Sequence, residues 1–68
     1  MRLKALEDFE GIALKVYVDE DGLFFVRFYY RACAFETLRL STAREAVRLA
    51  QLTISLGLRG FRTRLKHY

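Results

Sequence analysis

Residues 12–31 decide the fold: Ile12-Ala13-Leu14-Lys15-Val16-Tyr17-Val18, then Asp19-Glu20-Asp21-Gly22, then Leu23-Phe24-Phe25-Val26-Arg27-Phe28-Tyr29-Tyr30-Arg31. The first segment alternates with period two. Ile12, Leu14, Val16 and Val18 share one face, and Ala13, Lys15 and Tyr17 the other, as in a half-buried strand. Gly22 closes a three-residue loop, where a left-handed conformation is wanted. The aromatic run after it reads as a second strand. Such a loop pairs Asp19 with Leu23, which fixes the register. Phe24, Val26, Phe28 and Tyr30 then join the Ile12/Val18 face as core. Leu23, Phe25, Arg27, Tyr29 and Arg31 join the Lys15/Tyr17 face.

Outward from this hairpin, residues 35–41 fit a third strand. Leu38 and Leu40 are expected to face the core, and Phe35, Thr37 and Arg39 to face out. That phase requires a three-residue loop, Ala32-Cys33-Ala34, with Arg31 opposite Phe35, and it leaves Glu36 leaning inward. Thr42 with Glu45 three positions on is a capping box and opens a helix. Ala43, Ala46, Val47, Ala50 and Ile54 form its apolar stripe, with Leu49, Leu52 and Leu56 as a flanking stripe. Gly57 is its stop. Residues 61–66 alternate Phe61, Thr63 and Leu65 with Arg62, Arg64 and Lys66, as a short fourth strand or a basic tail. Residues 1–10 fit an irregular strand or a single turn. The expected fold is α+β: a three-stranded antiparallel sheet packed on one C-terminal helix (β-β-β-α), with or without an extra C-terminal strand.

Composition narrows the class. At 68 residues the chain is one small domain, residues 1–68. A chain of this length buries only about 60% of its unfolded surface, so a partner would add much to its stability. Hydrophobic residues make up 53% and there is no Pro, which excludes a disordered or low-complexity chain. With one cysteine, Cys33, neither a disulfide framework nor a cysteine-based zinc site is expected. No apolar run is long enough to span a membrane, and the acids Glu7, Asp8 and Glu10 stand where a signal peptide needs an apolar stretch. The expected location is the cytoplasm. The chain has no Asn, one Gln, and nine Arg against three Lys. Depletion of thermolabile residues is a thermophile-like habit.

Charge is unevenly spread. Residues 1–21 carry three cations and six acids, a net of −3, whereas residues 22–68 carry nine cations and two acids, a net of +7. One acidic end and one cationic surface is the footprint of a polyanion-binding module, although a solvated basic surface kept for solubility has the same charge. The outward sheet face concentrates the effect. It holds Lys15, Tyr17, Phe25, Arg27, Tyr29, Arg31, Phe35, Thr37 and Arg39, interleaving cations with rings. Arg62, Arg64 and Lys66 extend it if residues 61–66 join the sheet. Cations attract phosphates through counterion release, Arg forks fit phosphate oxygens and the guanine edge, and rings stack on unpaired bases. The expected nucleic-acid-binding set is Lys15, Tyr17, Arg27, Tyr29, Arg31, Arg39, Arg62, Arg64 and Lys66, with DNA favoured over RNA. The alternative is that the rings pack on one another with Arg stacked on them, or are covered in a homodimer or by a protein partner.

Catalytic chemistry is thin. His67 lies near the end of the sequence, where rigid positioning for acid–base work is unusual. Cys33 reads as a small filler. Asp19-Glu20-Asp21 lacks the ligand spacing of a calcium loop. No phosphate-binding loop, dinucleotide fingerprint or zinc-protease motif occurs. The expectation is a non-enzyme with no metal, no cofactor and no small-molecule substrate.

The segment Leu40-Ser41-Thr42-Ala43-Arg44-Glu45-Ala46, after three antiparallel strands, resembles that of the AP2-type and phage-integrase arm-binding domains. In those families the third strand runs into the helix through a similar T-x-x-E-A segment. The resemblance covers about residues 12–56. It implies reading of duplex DNA by the exposed sheet face and, by strand position, implicates Arg27, Tyr29, Arg31 and Arg39.

Overall fold

A computed structural model describes residues 1–57 and the backbone of Thr63–His67. Strand β1 runs Arg2–Phe9, β2 Ile12–Val18, β3 Phe24–Tyr30 and β4 Cys33–Thr37. Helix α1 (Ala43–Ser55) follows, then β5 (Thr63–His67). The strands form one antiparallel sheet in the order β1-β2-β3-β4-β5. The fold is therefore α+β with one helix, but four strands precede the helix where the sequence reading had three. The additional one is β1. Its register shifts between Leu3 and Ala5, so Lys4 sits in a β-bulge. A bulge moves every later side chain to the opposite face of a strict alternation, which hides such a strand from a period-two reading.

The β2–β3 hairpin follows its sequence pattern. Val18 pairs with Phe24, the Asp19 amide donates to the Leu23 carbonyl at 2.9 Å, and Gly22 closes the loop at φ 79°. Asp19 also holds the loop from inside. Its Oδ1 accepts from the Asp21 and Leu23 amides, each at 2.9 Å.

The β3–β4 connection differs from expectation. Tyr30 pairs with Cys33, leaving a two-residue turn of Arg31 (φ 52°) and Ala32 (φ 66°). Two positive φ values are what a type I′ hairpin turn needs, and Asn-Gly is its usual sequence. The expected loop Ala32-Cys33-Ala34 is thus replaced by a tighter one, and Phe28, not Arg31, stands opposite Phe35. The exchange inverts β4. Phe35 lies in the core, its ring stacked on Phe28 with centroids 5.3 Å apart, and Thr37 is buried. Leu38 is exposed, and Glu36 belongs to the face opposite the helix, paired with Arg27. The expected outward placement of Phe35 and Thr37, and inward placement of Leu38 and Glu36, are therefore corrected.

The chain leaves β4 through a side-chain substitution. Thr37 Oγ1 accepts from the Val26 amide at 2.9 Å, taking the place of a ladder carbonyl, and donates to the Leu38 carbonyl. Leu40 then rejoins β3 by exchanging two backbone bonds of 2.7 Å with Phe24, and it packs against the core as expected.

Thr42 caps α1: its Oγ1 accepts from the Glu45 amide at 3.1 Å. The return leg of the capping box is altered, because Glu45 Oε1 accepts from the hydroxyls of Thr42 and Ser41. Ala46, Val47, Ala50 and Ile54 are buried against β2, β3 and β4. The flanking stripe is not buried as a unit, since Leu52 and Leu56 are exposed. Thr53 fills that side instead, its hydroxyl donating to the Leu49 carbonyl at 2.7 Å. Gly57, at φ 68°, ends the helix. The core is Leu14, Val16, Val26, Phe28 and Phe35 under the helical alanines, with Ile12, Phe24 and Tyr30 at its margin. Among the described residues no helix is long and apolar enough to cross a membrane.

Candidate nucleic-acid interface

The helix packs on one side of the sheet, over β2, β3 and β4. On the other, the registers arrange side chains in cross-strand rows. Leu3, Tyr17 and Phe25 make one row. Leu6, Lys15, Arg27 and Glu36 make the next, and Arg64 occupies the β5 position beside Glu36. Tyr29 and Ala34 make a third, with Lys66 at the β5 position. Arg27 and Tyr29 therefore emerge together on the helix-free face while Phe24 and Phe28 turn inward, as the sequence pattern requires. Arg62 lies outside the described residues.

Part of this face is sealed by its own side chains. Phe25, on the helix-free side, is nonetheless fully buried. Tyr17 stacks on it with centroids 5.5 Å apart. Arg39, delivered by the irregular segment after β4, lays its guanidinium 4.0 Å from the ring centroid. Arg39 Nε is held there by Asp19 Oδ2 at 3.0 Å, the same carboxylate that organises the β2–β3 loop. Arg27 lies 5.1 Å from the Tyr17 centroid, and its Nε and Nη2 both donate to Glu36 Oε2, the former at 2.9 Å. Glu36 is only 2% exposed, and Arg27 is one partner of its buried carboxylate. Among the described residues every buried side-chain nitrogen and oxygen has a partner.

These contacts divide the sequence-derived set. Tyr17, Arg27 and Arg39 lie together in this cluster, in which the Arg39 side chain stays 42% exposed. Lys15 is half-buried beside Arg27, and Tyr29 is half exposed. Arg31 is exposed at the β3–β4 turn, its guanidinium 5.3 Å from the Tyr30 centroid. The sequence reading missed Glu36 as an anchor, because the expected register turned it inward. It also missed Leu3 and Leu6, exposed on this face next to the cations. Among the described residues no group of three His, Cys, Asp or Glu side chains could hold a metal ion. No family model, curated protein or solved structure matches the chain.

Proposed function

We propose that this protein is a small, non-enzymatic, intracellular nucleic-acid-binding module that lays the helix-free sheet face on the phosphate backbone. The observation that carries the reading is the row Lys15–Arg27–Glu36 with Arg64 at its β5 position, three cations to one acid across four neighbouring strands. Strands lie about 4.8 Å apart, so the β2 and β5 positions span about 14 Å, enough to follow a run of phosphates. Lys66 and Arg31 extend the charge along the strands, and the exposed Tyr29 ring offers a stacking surface. Arg27 and Arg39 act here as positioning residues: their ion pairs and ring contacts stiffen the surface on which Lys15, Arg31, Arg64 and Lys66 meet the polyanion. The order β2-β3-β4-α1 over residues 12–55 is the one that the AP2-type and integrase arm-binding resemblance implies, which favours duplex DNA over RNA.

The test is a salt-titrated binding assay with mixed duplex and single-stranded DNA and RNA, on the wild type and on Lys15→Glu and Arg31→Glu. Neutralising three or four phosphates gives a log–log salt slope of about −3, and each reversal weakens binding on all sequences alike. Absence of retention on heparin or DNA at low ionic strength would refute the proposal. A second reading, a protein-interaction module, is favoured by Leu3 and Leu6, which leave apolar side chains exposed on the same face.

A further inference from the structure

Strand β1 is unusual among the strands whose side chains are described. It is an edge strand of eight residues, and every one of them but Phe9 is exposed. Leu3 and Leu6 are 52% and 64% exposed, both on the helix-free face. On the other face, α1 packs across β2, β3 and β4, leaving an open groove of about 420 Å³ between helix and β1, lined by Ala5, Glu7, Val16, Val47, Arg44 and Arg48. An edge strand presents a row of backbone groups ready to pair with another strand.

The charges along β1 say which strand fits. Arg2 and Lys4 stand in its first half, and Glu7 and Asp8 in its second, with Glu10 directly after. Among the described residues, Arg2, Lys4, Glu7 and Asp8 have no ion-pair partner. A second β1 laid antiparallel against the first sets the cationic half of each copy beside the acidic half of the other. A register centred on Leu6 does this, setting Lys4 opposite Asp8 and keeping Ala5 opposite Glu7 on one face. A parallel arrangement sets like charges side by side, which is unfavourable. Antiparallel pairing about a two-fold axis is also the closed symmetry by which most homo-oligomers form.

We infer that β1 is a self-complementary dimerisation edge, and that two copies of this chain join through it into one continuous sheet. The two-fold places both helices on one side and both helix-free faces on the other. It brings the Leu3 and Leu6 side chains of the two copies together at the centre of the joined face. The inference is independent of the nucleic-acid reading, because it needs no polyanion and uses none of its proposed contact residues.

The experiment is mass measurement of the full chain by sedimentation or light scattering, without nucleic acid, at low salt, from micromolar to millimolar concentration. The wild type is expected to pass from one-chain to two-chain mass and to fall back towards one at high salt. Two charge-reversed variants isolate the strand: Arg2→Glu with Lys4→Glu, and Glu7→Lys with Asp8→Lys. Each alone stays at one-chain mass, and an equal mixture of the two recovers the two-chain mass. The recovery also shows that both variants are folded. A wild type that keeps one-chain mass throughout overturns the inference, since Lys4 and its bulge would then be devices that blunt the edge. Dimerisation of either variant alone, as strongly as the wild type, also overturns it and moves the contact elsewhere, for instance to Leu52 and Leu56.

Discussion

Replacing Ala32 by glycine should stabilise this protein, which is the opposite of what glycine does at most positions in a sheet. Arg31 and Ala32 form the two-residue β3–β4 turn with φ of 52° and 66°. A non-glycine L-residue in that region costs about 1–2 kcal/mol. Glycine removes the cost at one position but adds unfolded-state entropy, about 0.5–1 kcal/mol. The net expectation for Ala32→Gly is a gain of about 0.5–1 kcal/mol. For 68 residues, an unfolding entropy of about 2.1 cal/mol/K per residue makes this a rise in Tm of about 4–7 °C. The β1–β2 turn supplies the mirror experiment. There Glu10 (φ 52°) is followed by Gly11 (φ 83°), and a Cβ built on Gly11 meets nothing within 4 Å. Gly11→Ala therefore tests backbone strain without a clash and should lower Tm by a similar amount. Thermal unfolding by circular dichroism at one fixed protein concentration reads both. An Ala32→Gly melting point at or below that of the parent would refute the two-residue turn, and with it the register that puts Phe35 in the core and Glu36 beside Arg27.

Two further substitutions probe the remaining anchors. Glu36→Gln keeps the side-chain volume but leaves the partly buried Arg27 guanidinium without its counter-charge. It should cost about 2 kcal/mol in urea unfolding, and a loss below about 0.5 kcal/mol, the size of an ordinary surface change, would show that the pair contributes nothing to folding. Thr42→Ala removes the acceptor of the Glu45 amide and should cost about 1 kcal/mol. Unchanged helix stability by hydrogen exchange at the first turn would show that Ser41 and Glu45 suffice.

Legibility in the sequence tracked how local the determinant was. The β2–β3 hairpin was readable because its loop chemistry and two alternating strands agree, with Gly22 at the position where a left-handed residue is needed. The helix was readable from Thr42, Glu45 and the alanine stripe. β4 was not, because its register depends on Arg31 and Ala32 adopting backbone conformations that their side chains disfavour, and no residue type there announces a tight turn. The strand is held in that register from outside the turn, by the Phe28–Phe35 stack, the Arg27–Glu36 pair and the Thr37 hydroxyl on the Val26 amide. β1 was hidden by the bulge at Lys4. On the helix-free face the phase of the cations was legible, but their partners were not, since Asp19 and Glu36 reach Arg39 and Arg27 only through the loop fold and the β4 register.

The Phe25 cluster changes what a basic composition means for this fold. A single 13-residue helix spans about 20 Å and packs on one side of the sheet, so the chain needs another way to shelter the ring of Phe25. It uses guanidinium planes. Arg is weakly hydrated across its face and can lie on an aromatic ring while its edge keeps a carboxylate, so one residue serves as lid and ion-pair partner together. Arg39 does this over Phe25 with Asp19, and Arg27 does it beside Tyr17 with Glu36. Two of the cations that most resembled polyanion contacts thus perform a task that an apolar layer performs in larger domains. The count of twelve Lys and Arg therefore overstates the cations free to attract a partner, whereas the net charge of +4 already subtracts Asp19 and Glu36. On the proposed binding face, the cations outside this cluster are Lys15 on β2 and Arg31 at the turn, with Arg64 and Lys66 at β5 positions.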